Sequence, residues 1–192
     1  MEPPLPPFLH SLAIFAPLLA IATAAKADIC EHVPMHSQFL DDMTFCASSV
    51  LPPQGANTYG PANLGYLGPR DQAWCEGSLG DGLSESVTLH FRPQVHFQSL
   101  FIENGYQKND STYRSNNRVR HMTLRSGDGL VFNVALADIT GQQRVALPRP
   151  VRTDWISLTI ESVWPGERWQ DTCISFIGPD LEELNYQGLD MD

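Results

Sequence analysis

The densest concentration of hydrogen-bonding and aromatic side chains lies in NGYQKNDSTYRSNNRVR, residues 104–120. It holds Lys108, Arg114, Arg118 and Arg120, four of the chain's twelve Lys and Arg residues, together with four Asn and two Tyr. Asn and Arg are planar and present two hydrogen-bonding groups at once, and Tyr adds a flat apolar face. A sugar ring asks for both: paired contacts to its hydroxyls and an aromatic surface for its C–H side. Asn104, Tyr106, Asn116, Asn117 and Arg118 are the candidate contacts, while Lys108, Arg114 and Arg120 are assigned to solvated surface. The competing reading is local. Asn104-Gly105 forms turns, and Asn116-Asn117 can bond their own backbone. On the residues alone this scaffold reading carries more weight. Asn109-Asp110-Ser111 also matches a glycosylation acceptor pattern, a common chance match.

The four tryptophans divide in the same way. Trp74 and Trp155 are assigned to packing. Trp164 and Trp169 flank PGER, and Trp169 joins the candidate contacts as an exposed stacking platform. Catalytic signatures are missing: no G-x-S-x-G elbow, H-E-x-x-H, phosphate loop or dinucleotide fingerprint occurs. His90, His96 and His121 sit on expected strands and are read as strand-face histidines rather than general bases. Glu182-Glu183 and Asp41-Asp42 are read as solvated, and a small hydrolase with a carboxylate pair is the weakest function class.

These residues need a frame to hold them. From Ser86 onward the pattern has period two: SVTLHF, VHFQSLFIE, RVRHMTLR, LVFNVALAD, WISLTIESV and CISFI. Val87, Leu89 and Phe91 share one face; so do Leu130, Phe132, Val134 and Leu136, and Ile156, Leu158 and Ile160. Turns are expected at Arg92-Pro93, Asn104-Gly105, Ser126 to Gly129, Pro148 to Pro150 and Pro165-Gly166. No long helical periodicity interrupts the series. Short strands at this spacing predict an all-β antiparallel sandwich. Before them, SSVLPPQGANTYGPANLGYLGP is loop-like, because its Pro and Gly cannot sustain a helix.

With 192 residues and 42% hydrophobic content, the chain is sized for one domain with appendages. Its net charge of −10 argues against nucleic acid and anionic lipid as partners. A polar or acidic sugar fits the local cations better. The run FLHSLAIFAPLLAIATA followed by Ala25-Lys26-Ala27 predicts a signal peptide over residues 1–27, with a cut after Ala24 as the alternative. The stretch before the run departs from the usual pattern, having Glu2 and four prolines but no Lys or Arg. A membrane anchor is disfavoured, because the apolar core from Leu12 to Ala22 is short against the ~20 residues a spanning helix needs. No membrane span is expected after signal removal, and the expected location is secreted, periplasmic or cell-surface. Residues 28–46 are expected to form an N-terminal extension, 47–178 the domain and 179–192 an acidic tail.

Cys30, Cys46, Cys75 and Cys173 all lie beyond the proposed cut. An even count in an exported chain predicts two disulfides, and three pairings are open. The favoured one joins Cys30 to Cys46, a short loop, and Cys75 to Cys173, which would tie the start of the domain to its last strand. A zinc site of Cys30, His32, His36 and Cys46 is the rival.

AWCEG (73–77), GDGLSESVTLHF (80–91), SLFIENGYQKNDSTYRSNNRVR (99–120), LADIT and TDWISLTIESVWPGERWQDTCIS (153–175), in this order, resemble the NADase-type glycan-binding domain. That family is related to the discoidin, or coagulation-factor type C, domains of the galactose-binding-like superfamily. The resemblance spans about residues 47–178 and implies a two-sheet jelly roll with a binding role, often toward glycans. The NADase catalytic domain of the family is a separate unit, so the resemblance does not imply NAD hydrolysis. Two departures bear on metal. Relatives carry an acidic segment shaped like DGDPATAW before the tryptophan, where this chain has LGYLGPRDQAW with Asp71 and Arg70. Relatives end in CISEI, where this chain has Phe176. In related sandwiches these two carboxylate positions help hold a structural calcium, so the departures imply none here. The reading is a secreted, non-catalytic glycan-binding module. A protein-interaction or structural module gripping another exported protein is the alternative.

Overall fold

The computed structural model describes residues 28–35, 37–65 and 71–185. The expected signal peptide, His36 of the zinc alternative, Arg70 and residues 186–192 of the acidic tail lie outside the described residues. Among those described, no helix is long and apolar enough to cross a membrane.

Period-two patterning produces the strands. β1 (Ile29–Pro34), β2 (Asp42–Ala47), β3 (Trp74–Cys75), β4 (Ser86–Asn104), β5 (Asn117–Ser126), β6 (Val131–Ala135), β7 (Gln142–Trp164) and β8 (Thr172–Pro179) wrap into one continuous sheet. Its order is β1-β2-β4-β7-β5-β8-β3, with β6 on β5 and an added β4–β8 pairing. The N-terminal part of β4 pairs with β2 and with the C-terminal part of β7. The C-terminal part of β4 pairs with β8 and with the N-terminal part of β7. The two long strands thus serve both layers of a β-sandwich. Val87, Leu89, Ile156, Leu158, Ile160, Met122 and Leu124 meet Leu100, Ile102, Ile174 and Ile177 in the core between them.

Two expected turns are strand interior instead. Arg92-Pro93 lies inside β4 and Pro148 to Pro150 inside β7, each where the pairing register slips, at His90/Val95 and at Phe97/Ser99. Proline lacks the N–H a regular ladder needs, and a bulge is where a strand tolerates that loss. Among the described strands pairing is antiparallel except where Asn117 and Arg118 of β5 meet Thr172 and Cys173 of β8 in parallel, beside an isolated parallel bridge from Gly105 to Ile174.

The expected N-terminal extension, 28–46, is part of the sheet. β2 pairs with β4 from Asp42↔Arg92 to Ala47↔Val87, and Phe45 is fully buried. The apolar alternation in DMTFCA is a strand pattern too short to stand out by itself. The start of the expected tail is also docked. Leu181 packs on the core, α2 (Glu182–Asn185) follows, and Arg144 bridges Asp180 at 3.3 Å and Glu183 at 2.7 Å.

Both favoured disulfides are present, Cys30–Cys46 and Cys75–Cys173, with sulfur–sulfur distances of 2.05 and 2.01 Å. Each joins directly opposed residues of neighbouring strands. The zinc alternative therefore falls, since its two thiols are committed to a bond.

Candidate functional site

The 104–120 block folds into a strand end, a one-and-a-half-turn helix and the start of the next strand. The helix α1 (Asp110–Ser115) is set by a capping box. Asn109 Oδ1 accepts from Thr112 N at 2.9 Å, while Asn109 N donates to Thr112 Oγ1 at 3.1 Å. Gly105, at φ +80°, is required beside it, because a Cβ there would lie 2.5 Å from Arg118 Cγ.

Three of the six candidate contacts turn inward. Asn104 is fully buried; its Nδ2 donates to Val119 O at 2.7 Å and its Oδ1 accepts from Val119 N at 2.9 Å. Asn117 donates to Asp81 Oδ1 and Gln170 O and accepts from Gly166 N at 2.7 Å. Arg118, 7% exposed, grips Asp138 in a two-point pair at 2.9 and 2.6 Å and donates to the carbonyls of Asn116 and Pro165. Its guanidinium also lies 5.3 Å from the Tyr113 ring centre. These three fasten loops to the sheet, and their hydrogen-bonding capacity is spent inside the fold. They are scaffold, which corrects their assignment as sugar contacts. Arg120 stacks on Trp164, 4.6 Å from the ring centre, and Lys108 donates to Asn57 Oδ1 at 2.8 Å.

The other three, Tyr106, Asn116 and Trp169, come together. They line a polar hollow of about 200 Å³ with Gln54, Asn57, Tyr59, Thr112 and Asp171. Trp169 is 51% exposed. Its position is set by the backbone: Trp169 N donates to Ser115 O at 2.7 Å, pinning the PGER loop to the end of α1. Gly166 permits the close approach, since a Cβ there would lie 2.5 Å from Ser115 O. Elsewhere in the lining, Gln54 and Asn57 exchange two backbone hydrogen bonds of 3.1 Å, which fix the turn that carries both side chains.

The floor is a small separate core of Tyr59, Ala73, Cys75, Tyr106 and Cys173. Tyr59 and Tyr106 meet edge to face at 6.0 Å, and the Tyr106 hydroxyl donates to Asp71 O at 3.1 Å. Burial pushes the Tyr106 phenol up to about 12, with a further push from Tyr59 and Asp71. The Tyr59 phenol is raised as well, chiefly by burial. Both therefore stay neutral across the physiological range. Burial also raises the Asp171 carboxyl. Gln54, Asn57, Tyr59 and Asp171 were missed in the sequence. Asn57 and Tyr59 carry the same amide and aromatic chemistry as the 104–120 block, but sit in a Pro/Gly-rich stretch that reads as punctuation.

Two other hollows lack this combination. One, of about 820 Å³, is apolar and includes Phe39, Leu40, Phe101 and Phe176 in its lining. The other lies on the β5–β7 face and includes His121, Thr123, Asn133 and Glu161. There His121 Nδ1 pairs with Ser162 Oγ at 2.8 Å, a cross-strand contact. Of the two positions weighed for calcium, Phe176 lines the apolar groove, and the Asp71 backbone carbonyl accepts from the Tyr106 hydroxyl.

The fold has counterparts among known proteins. The family 32 carbohydrate-binding module of Clostridium perfringens NanJ, solved in complex with galactose, superimposes with a TM-score of 0.51 at 16% identity, covering 70% of this chain and 90% of that one. The Clostridium perfringens module CpGH89CBM32-5, in complex with GalNAc-β-1,3-galactose, gives 0.54 at 12% identity over 70% and 92%. The family 32 module of Streptococcus pneumoniae EndoD gives 0.52 at 14% over 69% and 92%. At these identities the likeness shows the all-β, galactose-binding-like sandwich. No curated protein sequence matches the chain significantly. The family model that matches is the NAD glycohydrolase translocation F5/8 type C domain, over residues 38–178. Its start at residue 38 takes in β2, as the sheet does. With that match covering most of its length, the chain belongs to the NAD glycohydrolase translocation F5/8 type C domain family.

Proposed function

We propose that this chain is an exported, non-catalytic glycan-binding module that takes one sugar residue in the hollow between Trp169 and Asn57. The observation that carries this reading is the pairing of a half-exposed indole with convergent amides and a carboxylate over a rigid tyrosine floor. A volume of about 200 Å³ suits a single pyranose ring. The indole offers the stacking face, and Gln54, Asn57, Asn116 and Asp171 supply paired hydrogen-bonding groups. Two disulfides suit an oxidising, extracytoplasmic compartment. A glycan array with the purified protein tests the proposal, with Trp169→Ala as control. Binding that disappears in Trp169→Ala supports it; folded protein that retains no glycan overturns it.

The apolar groove favours a second reading, an interaction module for another exported protein. Capture of a protein partner that survives Trp169→Ala but not Phe101→Asp would support that alternative. The module is also proposed to need no tightly bound calcium. Its melting temperature should be the same with calcium as with chelator, and a large shift would refute this.

A further inference from the structure

We infer that the sugar held in this pocket carries a free amino group: the ligand is a cationic hexosamine unit rather than an acidic or N-acetylated one. The inference rests on the glycan reading above and narrows its ligand class.

The argument begins with acceptors. Asn116 is nine-tenths buried, and its Nδ2 is committed to Thr112 O at 2.9 Å. Its Oδ1 has no protein partner among the described residues, so an acceptor is left at the pocket wall. The Asp171 carboxylate adds acceptor capacity beyond the bond it takes from its own backbone N–H, and no basic side chain pairs with it among the described residues. A partly buried carboxylate without a counter-ion is costly, and a ligand cation is the group that offsets the cost. Carboxylates act on the tyrosine side of the hollow. Asp171 acts on Tyr59 and on the buried Glu76 behind it, and Asp71 acts on Tyr106.

The second strand of the argument is aromatic. Tyr59, Tyr106 and Trp169 all line the hollow. Neutral aromatic faces around a carboxylate attract an ammonium group. The Trp169 ring already receives one cation, the Arg168 guanidinium, 5.0 Å from its centre. The basic groups of the neighbourhood are turned to other work. Lys108 is held by Asn57, Arg168 by the indole and Arg118 by Asp138. None of them is bonded to Asp171, so a carboxylated or sulfated sugar would meet an acceptor-rich wall. An ammonium donates three hydrogen bonds and accepts none, whereas an acetamide donates one and brings a carbonyl acceptor of its own.

The test is calorimetry on the disulfide-bonded protein at low salt and mildly acidic pH, where the sugar amine is protonated. Two matched series serve as probes. One is galactosamine, N-acetylgalactosamine and galactose; the other is the β-1,4 tetramers of glucosamine, N-acetylglucosamine and glucose. The expected result is that one amino sugar binds at least about tenfold tighter than both of its neutral counterparts. Asp171→Asn should erase that preference, so that the amino sugar binds no tighter than its neutral counterparts. Glu161→Gln, which removes a remote surface carboxylate, should leave the preference intact and so separates the pocket from general attraction to an acidic protein. Equal binding of amino and neutral forms overturns the inference alone. So does a preference that survives in Asp171→Asn. If no sugar of either series binds, the glycan reading itself falls and takes this inference with it.

Discussion

Two regions built from the same residue types behave in opposite ways. Asn104, Asn117 and Arg118 turn into the molecule and bond backbone and carboxylate within it, while Asn57, Asn116 and Trp169 surround a hollow. The amides are chemically identical. What separates them is strand geometry. Asn104 ends β4 and Asn117 opens β5 at the point where β5 meets β8 in parallel, so their side chains are needed to join segments that no regular ladder joins. Asn116, one residue earlier, caps the end of α1 and lies at the pocket wall. A change of one position decides between fastening the fold and lining the hollow.

The contrast can be broken experimentally, beginning beneath the pocket. Loss of the Cys75–Cys173 bridge opens a loop with a sequence separation of 98 residues, against 16 for Cys30–Cys46. Chain-entropy estimates put the two losses at about 4.7 and about 3 kcal/mol. Paired Cys→Ala variants in denaturant unfolding should show that order, and the first should also weaken sugar binding because Tyr59 and Tyr106 rest on that bridge. A larger loss from the Cys30–Cys46 pair would contradict the picture.

Arg118→Ala comes next. Its loss leaves Asp138 and two loop carbonyls without their donor. The Asp138 side chain is 35% exposed, so solvent screens part of the effect. The expected cost is about 2–3 kcal/mol, below that of a fully buried pair. In a domain of this size that corresponds to roughly 5–10 °C in melting temperature. If Arg118→Ala melted like the parent protein but lost sugar binding, the scaffold assignment would be wrong.

Trp169→Ala and Asn57→Ala should do the reverse. Binding should fall by about tenfold or more, as expected for removing a stacking face or a paired hydrogen bond. Melting should move little, because Trp169 is half exposed and outside both core clusters. A large melting shift in Trp169→Ala would merge the two regions again.

The smallest effect is a pH dependence. The Arg118 guanidinium, aided by the Tyr113 hydroxyl, holds the Asp138 carboxyl below its ordinary value of 3.8. A carboxyl lowered in the folded state adds stability that is complete above the unfolded value and is lost as pH falls through the folded one. The stability gap between the parent protein and Arg118→Ala should therefore narrow once pH drops below about 4. A gap that stays constant in acid would show that the ion pair contributes little.

Much of the frame was legible. Alternation such as Val87, Leu89, Phe91 and Ile156, Leu158, Ile160 survives in the structure because one sheet face is buried, and an out-of-step strand would expose its whole apolar set. The favoured disulfide pairing, one of three left open, is the one observed: a short loop at Cys30–Cys46 leaves Cys75 for Cys173. The prolines of β4 and β7 misled, because a bulge and a turn share the same local signature. The N-terminal hairpin was missed because six residues give too little periodicity to register.

For the site, the 104–120 block marked the neighbourhood but not the contacts. Tyr106, Asn116 and Trp169 are in the pocket; Asn104, Asn117 and Arg118 are not. Of the cations that suggested an acidic sugar, Arg118 is paired with Asp138 and Lys108 with the Asn57 amide, and the carboxylate lining the pocket is Asp171. Gln54, Asn57 and Tyr59 reach the pocket from some fifty residues upstream, and Asp171 from some fifty downstream.

The sequence by itself determined the β class and the membership of the family, because hydrophobic period and ordered motifs are properties of the chain as written. Only the tertiary structure decided which polar side chains line the hollow. Burial depends on what packs against each side chain, and here the partners of a single hollow come from three separate segments that meet only when β4, β5 and β8 close over the Cys75–Cys173 bridge.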